Sequence, residues 1–378
     1  MALLEDILVL DLTRAVAGPF CTMMLGDLGA CVIKIEEEET GDETRRWGPP
    51  FVGGWSTYFL SMNRNKESVA VNLKSPEGLQ LALRIAARAD VVVENFRPGV
   101  ADRLGLGYET LAATNPRLIY ASVSGFGQTG PDRERPGYDL ILQAMSGCMH
   151  VSASEEQVAV KVAFPVADIL AGLFAEQAIL AALYRRRETG QGRRIEVSLL
   201  DGMLCALSNL ATGTLLTGQE PRRVGTAQPN IVPYQLFHCA DSPIVAGAPN
   251  DRLWEKFCHA LGRPGWIDDE RFRGNQKRNE NRPALVAMIE EVLRTEPAAR
   301  WLERLERHGV PCGPVLTMSE ALAQRQVAAR GTIVETAHPK LGKIRLIGHP
   351  ARIAGHDPPC RAPAELGAHT EAVRKEFL

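Results

Sequence analysis

The residues of this 378-residue chain with the means for chemistry are one aspartate at the head of a helical pattern and three polar clusters at strand ends. Asp168 opens an amphipathic pattern that runs to Arg187. In that position it can be an N-cap that accepts backbone N–H bonds. It can also be an anion, held ionised by the helix dipole and the orphan N–H groups, that attacks a bound electrophile and carries it covalently. Residue type and position leave both open. The clusters are Asn63-Arg-Asn-Lys66, Glu94-Asn-Phe-Arg-Pro-Gly99 and Ser122-Val-Ser-Gly-Phe-Gly-Gln-Thr-Gly-Pro131. Arg and Lys beside Asn and backbone N–H groups suit a phosphorylated, amide-bearing ligand. Strand ends are where open α/β sheets place ligands, although loops of this composition also occur where nothing binds.

Several chemistries are excluded by what the motifs lack. The turn after the first strand, Asp11-Leu-Thr-Arg-Ala-Val-Ala-Gly18, holds one glycine where a dinucleotide fingerprint needs three, and no Walker A sequence is present. Neither a Gly-x-Ser-x-Gly elbow nor His-Glu-x-x-His occurs. The 8 cysteines are far apart, with no C-x-x-C or zinc spacing, and read as reduced thiols without structural metal. Lys+Arg number 43 against 45 Asp+Glu, a net charge of -2, which argues against nucleic acid as a partner. No apolar run approaches the ~20 residues of a membrane span. The opening Met1-Ala-Leu-Leu-Glu5 has no basic signal region, so with reduced thiols the expected location is cytoplasmic or an organelle matrix.

The elements that must hold these residues follow from pattern. Ile7–Leu10, Cys31–Ile35, Ser68–Asn72, Asp90–Val93 and Leu118–Ala121 are short, continuously apolar runs, the mark of strands in a parallel sheet covered on both faces. Helical patterns over Pro19–Leu28 and Pro76–Ala89 alternate with them. The fold expected is α/β: a doubly wound (Rossmann-like) parallel-sheet large domain, residues 1–216, plus a smaller α/β domain, 234–325. Between them lies a connector or site loop at 217–233, and a C-terminal segment, 326–378, returns to the large domain. A strand at Arg194–Val197 and one helix from Leu199 to Leu216 complete the large domain, while Arg252–Leu261, Arg282–Arg294 and Pro297–His308 are helices of the smaller one. Glu36-Glu-Glu-Glu39 reads as a solvated edge.

Along nearly its whole length the chain resembles the class III CoA-transferases, the CaiB/BaiF family that includes formyl-CoA transferase and α-methylacyl-CoA racemase. The resemblance is carried by Leu10-Asp-Leu-Thr13 with Ala17-Gly-Pro19, Gly26-Asp-Leu-Gly-Ala30 with Val32-Ile-Lys-Ile-Glu36, and the three clusters above. Asn115-Pro-Arg117, Gly137-Tyr-Asp139, Val166-Ala-Asp168, Thr189-Gly-Gln-Gly192 and Gly309-Val-Pro-Cys-Gly-Pro-Val315 extend it. It implies that Asp168 is the covalent nucleophile. It implies CoA contacts, with CoA as substrate and product, at Ala15, Val16, Val71, Asn72, Leu73, Lys74, Asn95, Phe96, Arg97, Arg103 and Arg135 to Tyr138. It further implies an interlocked homodimer and needs neither metal nor nucleotide triphosphate.

Two departures shape the reading. Glu37 stands where similar chains often have arginine, so Arg45, Arg64 or Lys66 is expected to supply the missing cation. Tyr138 stands where the racemase branch has histidine, and a phenol near pKa 10 is a poor base at neutral pH. Acyl transfer is therefore favoured over epimerisation of a 2-methylacyl-CoA, and a non-catalytic CoA-binding protein is the further alternative. The region Gly225 to Pro233 has no glycine run, and with Trp47-Gly-Pro-Pro-Phe51 it is similar to the succinate–hydroxymethylglutarate type, which implies acyl-CoA and small dicarboxylate substrates. Arg45, Arg46, Arg222 and Arg223 are candidates for a remote carboxylate, and backbone N–H groups near Asp168 or in Gly225 to Pro229 for the oxyanion.

Overall fold

Six short runs form one parallel sheet in the computed structural model, which describes residues 2–378. They are β1 (Leu8–Asp11), β2 (Cys31–Glu36), β3 (Lys66–Ala70), β4 (Val91–Glu94), β5 (Ile119–Ser124) and β6 (Arg193–Ser198). Their spatial order is β3-β2-β1-β4-β5-β6, with every pair parallel. This is the doubly wound order, and it reverses between β1 and β4. Val9, Val32, Val91, Val93 and Ile119 have no exposed surface, as continuous apolar strands covered on both faces require.

The sheet belongs to a unit made of residues 2–148, 161–211 and 325–378. Within it the helix Val166–Thr189 lies against the first helix, Ala17–Asp27. Its length and apolar content would suffice to cross a membrane, unlike the expectation from apolar runs, yet Ala167, Ala171, Ala175 and Ile179 are fully buried in the core. Contact is close because Gly172 faces the Ala17 carbonyl: a Cβ there would sit 2.7 Å from that oxygen. Gly172→Ala should separate the two helices and cost about 1–3 kcal/mol, read as a lowered midpoint in urea unfolding.

The helix expected from Leu199 to Leu216 is two, Leu199–Ala206 and Ser208–Thr217, because Ser208 takes φ +46° and interrupts the ladder. The chain also returns at its end. The hairpin Ile333–His338 with Gly342–Ile347 sets His338 edge-on to Trp55, ring centroids 4.2 Å apart. The last residues then cover the outer edge of β3. His369 Nδ1 accepts the Ser68 N–H, Thr370 Oγ1 accepts the Ala70 N–H, and the Asn65 N–H donates to the Arg361 carbonyl.

The second unit holds residues 149–160 and 212–324. A three-stranded antiparallel sheet, Cys312–Pro314, Pro243–Gly247 and Tyr234–His238, packs on helices around Phe237, Trp254, Phe257, Phe272 and Trp301. Its segment 228–232 is tied down by side chains: Arg282 Nη2 donates to the carbonyls of Gln228 and Pro229, Asn275 and Asn279 to that of Asn230, and Arg278 to that of Val232.

Candidate active site

Where the strand order reverses, the carboxyl ends of β1, β4 and β5 splay apart and open a cavity of about 280 Å³. The turn Arg14 to Ala17 after β1 forms one wall, and Asn95 to Pro98 after β4 forms another. Val123 to Gly125, Arg133, Arg135 to Tyr138, Glu43 and Trp47 complete the lining. Asp168, third residue of the helix that begins at Val166, lies among them.

Pro165, not Asp168, is the N-cap of that helix. Among the described residues no hydrogen bond reaches the Asp168 carboxylate. Three N–H groups of its own first turn are spoken for: that of Ala167 donates to Asp139 Oδ1 at 2.8 Å, and those of Val166 and Ile169 to the carbonyls of Phe164 and Pro165. The expectation that orphan N–H groups hold Asp168 ionised is therefore corrected. Burial, aided by the like charge of Asp139, pushes its carboxyl up to about 7. Asp139 is itself fixed, since its Oδ2 accepts from Gln143, whose Oε1 in turn accepts the Val162 N–H at 2.9 Å. One pair of side chains thus sets the angle at which the chain enters the Asp168 helix.

Such a carboxyl gains its nucleophilic form as pH rises through about 7. Activity at low substrate should climb about tenfold per pH unit below that point and level off above it. Asp139→Asn removes the like charge and should move the acid limb to lower pH. A pH–rate profile flat from about 5.5 to 8.5 would contradict this.

Beneath the wall at residues 13–16 is a lattice of buried charges. Asp11 accepts from Lys66 Nζ at 3.0 Å, from Thr22 Oγ1 and from the Thr13 N–H and hydroxyl. Lys34 Nζ donates to the Thr13 carbonyl at 2.8 Å and pairs with Asp42 at 2.9 Å, and Asp42 Oδ1 accepts the Ala15 N–H at 3.4 Å. Ala15 needs this support because it sits at φ +62°, a region alanine rarely enters. Burial outweighs attraction at Lys66 and brings its ammonium down to about 8, while the cations hold the Asp11 carboxyl far below the usual range.

The lattice corrects two expectations. Arg45 is bound by Glu36, with two contacts of 2.7 Å, and stacks over Phe59 at 3.7 Å; Arg64 is buried against Asp27, and Lys66 against Asp11. None of the three is free for a ligand. Glu36 is not a solvated residue either, being buried on Arg45 and Ser68, although Glu37, Glu38 and Glu39 are exposed.

Nine of the residues expected to meet a ligand line the cavity with Asp168: Ala15, Val16, Asn95, Phe96, Arg97 and Arg135 to Tyr138. Val71, Asn72, Leu73, Lys74 and Arg103 do not line this cavity. Val71 packs in the core, Asn72 Oδ1 accepts the Lys74 N–H in the turn after β3, and Arg103 lies along Gly99. Arg222 and Arg223 belong to the second unit, as does the loop offered for the oxyanion. In that loop the N–H groups of Gly225, Ala227 and Gln228 already donate to carbonyls of their own unit. Arg14, Glu43 and Arg133 line the cavity without having been singled out, whereas Ser124 and Trp47, which also line it, stood in segments the sequence had marked. Arg14 was within reach of sequence reasoning, since it sits in the turn after β1, one of the two strands at the point of reversal.

Among the described residues no group of three or more His, Cys, Asp or Glu is placed to hold a metal ion. Four arginines around one cavity, with an acid free of hydrogen bonds inside it, make an α/β enzyme suited to anionic, phosphate-bearing substrates. The chain belongs to CoA-transferase family III, whose family model matches residues 4–370. It is 43% identical over 99% of its length to a human protein named succinyl-CoA:glutarate CoA-transferase, covering 86% of that protein. It is also 43% identical over 99% of its length to the acetyl-CoA:oxalate CoA-transferase of Acetobacter aceti, covering 95% of it. A crystal structure of a CaiB/BaiF family protein from Brucella suis superposes with a TM-score of 0.86 at 39% identity, over 98% of each chain. The protein is an enzyme, a CoA-transferase of family III.

Proposed function

We propose that this enzyme moves CoA between an acyl-CoA thioester, succinyl-CoA or one like it, and a free small carboxylic or dicarboxylic acid, with Asp168 as the covalent carrier. The observation that carries the reading is the Asp168 carboxyl, free of protein hydrogen bonds inside an arginine-rimmed cavity at the point of strand reversal. The names of relatives that use glutarate and oxalate support the substrate class.

The carboxylate adds to the thioester carbonyl and expels CoA thiolate, leaving a mixed anhydride on Asp168. The thiolate attacks the aspartyl carbonyl, forms an aspartyl-CoA thioester and frees the donor acid. The acceptor carboxylate attacks that thioester, expels the thiolate again and makes a second anhydride. Thiolate attack on the acceptor acyl carbon then yields the new acyl-CoA and restores Asp168. A thioester is made for each one broken, so the balance needs no ATP. Of the family-implied CoA contacts, Ala15, Val16, Asn95 to Arg97, Arg135 and Tyr138 are supported by their place in the cavity wall.

The large unit is the CoA-binding part in this reading, and the enzyme works as a cytoplasmic homodimer. The helix Ser208–Thr217, which buries none of its residues within the chain and exposes Leu215 and Leu216 at 85% and 81%, supports a partner copy. The test is transfer from succinyl-CoA to a panel of acids that includes glutarate and oxalate, with no nucleotide added. The expected result is a new acyl-CoA from at least one diacid. No product from any acid, with the protein folded, would overturn the proposal.

A further inference from the structure

The sheet that carries the Asp168 helix on one face opens a second cavity on the other. Val91, Val93, Ile119 and Ala121 pack in one core with Ala167 and Ala171 of that helix, so the alternate residues Glu94, Tyr120 and Ser122 point to the opposite side. Register carries the row across three strands: Glu94 lies beside Ser122, and Tyr120 beside Arg194 of β6. With Arg97 and Gln128 these four side chains line a cavity of about 320 Å³, the size of a small-molecule site.

Its charges stand around this space without meeting. Among the described residues neither Arg97 nor Arg194 comes within salt-bridge distance of a carboxylate, and no cation pairs with Glu94. Arg97 and Arg194 are exposed, whereas Glu94 is buried at 4% exposure. Arg194 is steadied over the ring of Tyr108, 6.0 Å from its centroid. Glu94 Oε2 accepts the Phe96 N–H at 2.8 Å, yet burial pushes the carboxyl up to about 7 despite the Ser122 hydroxyl beside it. Gln128 is fixed by its backbone N–H, which donates to Glu196, while the nitrogen of its side-chain amide is buried without a partner. An uncompensated buried acid, an unused amide donor and two unpaired arginines in one cavity match a ligand of both charges. Glu94 and Ser122 accept N–H bonds, which favours a primary ammonium over a quaternary one.

We infer that this cavity is an effector site for a small amino acid, whose ammonium meets Glu94 and whose carboxylate meets Arg97 and Arg194. Arg97 and Pro98 line the catalytic cavity as well. A carboxylate that engages Arg97 from the far side of the sheet draws its charge away from bound CoA, so the effector weakens CoA. By reciprocity CoA weakens the effector by the same factor. The coupling, unlike the binding itself, rests on the part given to Arg97 under Proposed function.

The test is calorimetry on the full-length protein with the standard L-α-amino acids, β-alanine and γ-aminobutyrate, each free and N-acetylated. At least one free amino acid should bind, and its N-acetylated form should not. Glu94→Gln keeps the shape, removes the charge and should weaken that binding about tenfold or more. Arg194→Ala, at an exposed position of β6, should weaken it too, and it serves where Glu94→Gln fails to fold. Saturating amino acid should weaken CoA about fivefold or more in wild type and lose that effect in Arg194→Ala, whose CoA affinity without effector should equal that of wild type. No binding by any free amino acid, binding indifferent to both variants, or a CoA affinity unmoved by the bound amino acid would overturn the inference. Amino-acid binding by a protein that takes up no CoA would overturn the proposed function and leave the site standing.

Discussion

Replacing Asp168 by asparagine should abolish CoA transfer and at the same time make the protein harder to unfold. The loss of activity follows from the chemistry: an amide cannot form and release the anhydride, so turnover should fall by about four orders of magnitude or more. The gain in stability follows from the environment of the carboxyl. In the unfolded chain it ionises near 3.9, but in the fold burial and Asp139 hold it up to about 7. A group raised in this way favours the fold only while protonated. Its penalty is absent below about pH 4, grows as pH rises toward about 7 and is complete above it. Asparagine carries no such penalty, so the melting temperature of the variant should exceed that of wild type at pH 8, with the gap closing toward pH 4. Transfer retained by the variant, or equal melting temperatures across that range, would contradict the account. Mass spectrometry of wild-type enzyme quenched with succinyl-CoA supplies the positive counterpart, an adduct on the peptide that carries Asp168.

Asp11→Ala should be among the most destabilising single substitutions available in this chain. Asp11 is fully buried and binds Lys66, Thr22 and Thr13 at once. Removing it strands the Lys66 ammonium, whose other contacts are the Pro19 carbonyl and the Asn63 amide oxygen. Breaking one half of a buried pair costs about 3–5 kcal/mol, a large share of the stability of most domains. The expected readout is a collapse in soluble yield and in the denaturant midpoint. The double variant Asp11→Ala with Lys66→Met should recover part of the loss, because an apolar side chain leaves no charge unpaired. The sign with pH is fixed too. The Asp11 carboxyl is depressed in the fold, so its contribution is present above the unfolded value near 3.9 and disappears only in stronger acid.

The large sheet was readable because its strands announce themselves. Runs such as Val91-Val-Val93 are apolar at every position, and the alternation with helices dictates a parallel sheet. Asp168 could be placed at the head of a helix for the same reason. Its protonation could not be read, because that depends first on burial and then on Asp139, which lies 29 residues earlier in the chain and meets it only through the fold. Arg45, Arg64 and Lys66 misled for a similar reason. A cation in a polar stretch looks available for a ligand until Glu36, Asp27 and Asp11 are seen to occupy it. The break at Ser208 left no mark either, since the apolar periodicity runs through it and a single positive φ ends the helix. Asn95 shows the limit from the other side: its position was legible, but the amide faces the backbone of Arg14.

The tail that closes β3 also ties remote stretches of sequence to one border. Residues 361–370 cover the outer strand of a sheet that starts at residue 8, so β3 is sealed only once this much later segment has docked. Without that cover the sheet presents an open, hydrogen-bond-hungry border to any other strand in reach. A substitution that loosens residues 361–370 is therefore felt at β3, and by another copy of the chain as an invitation to pair.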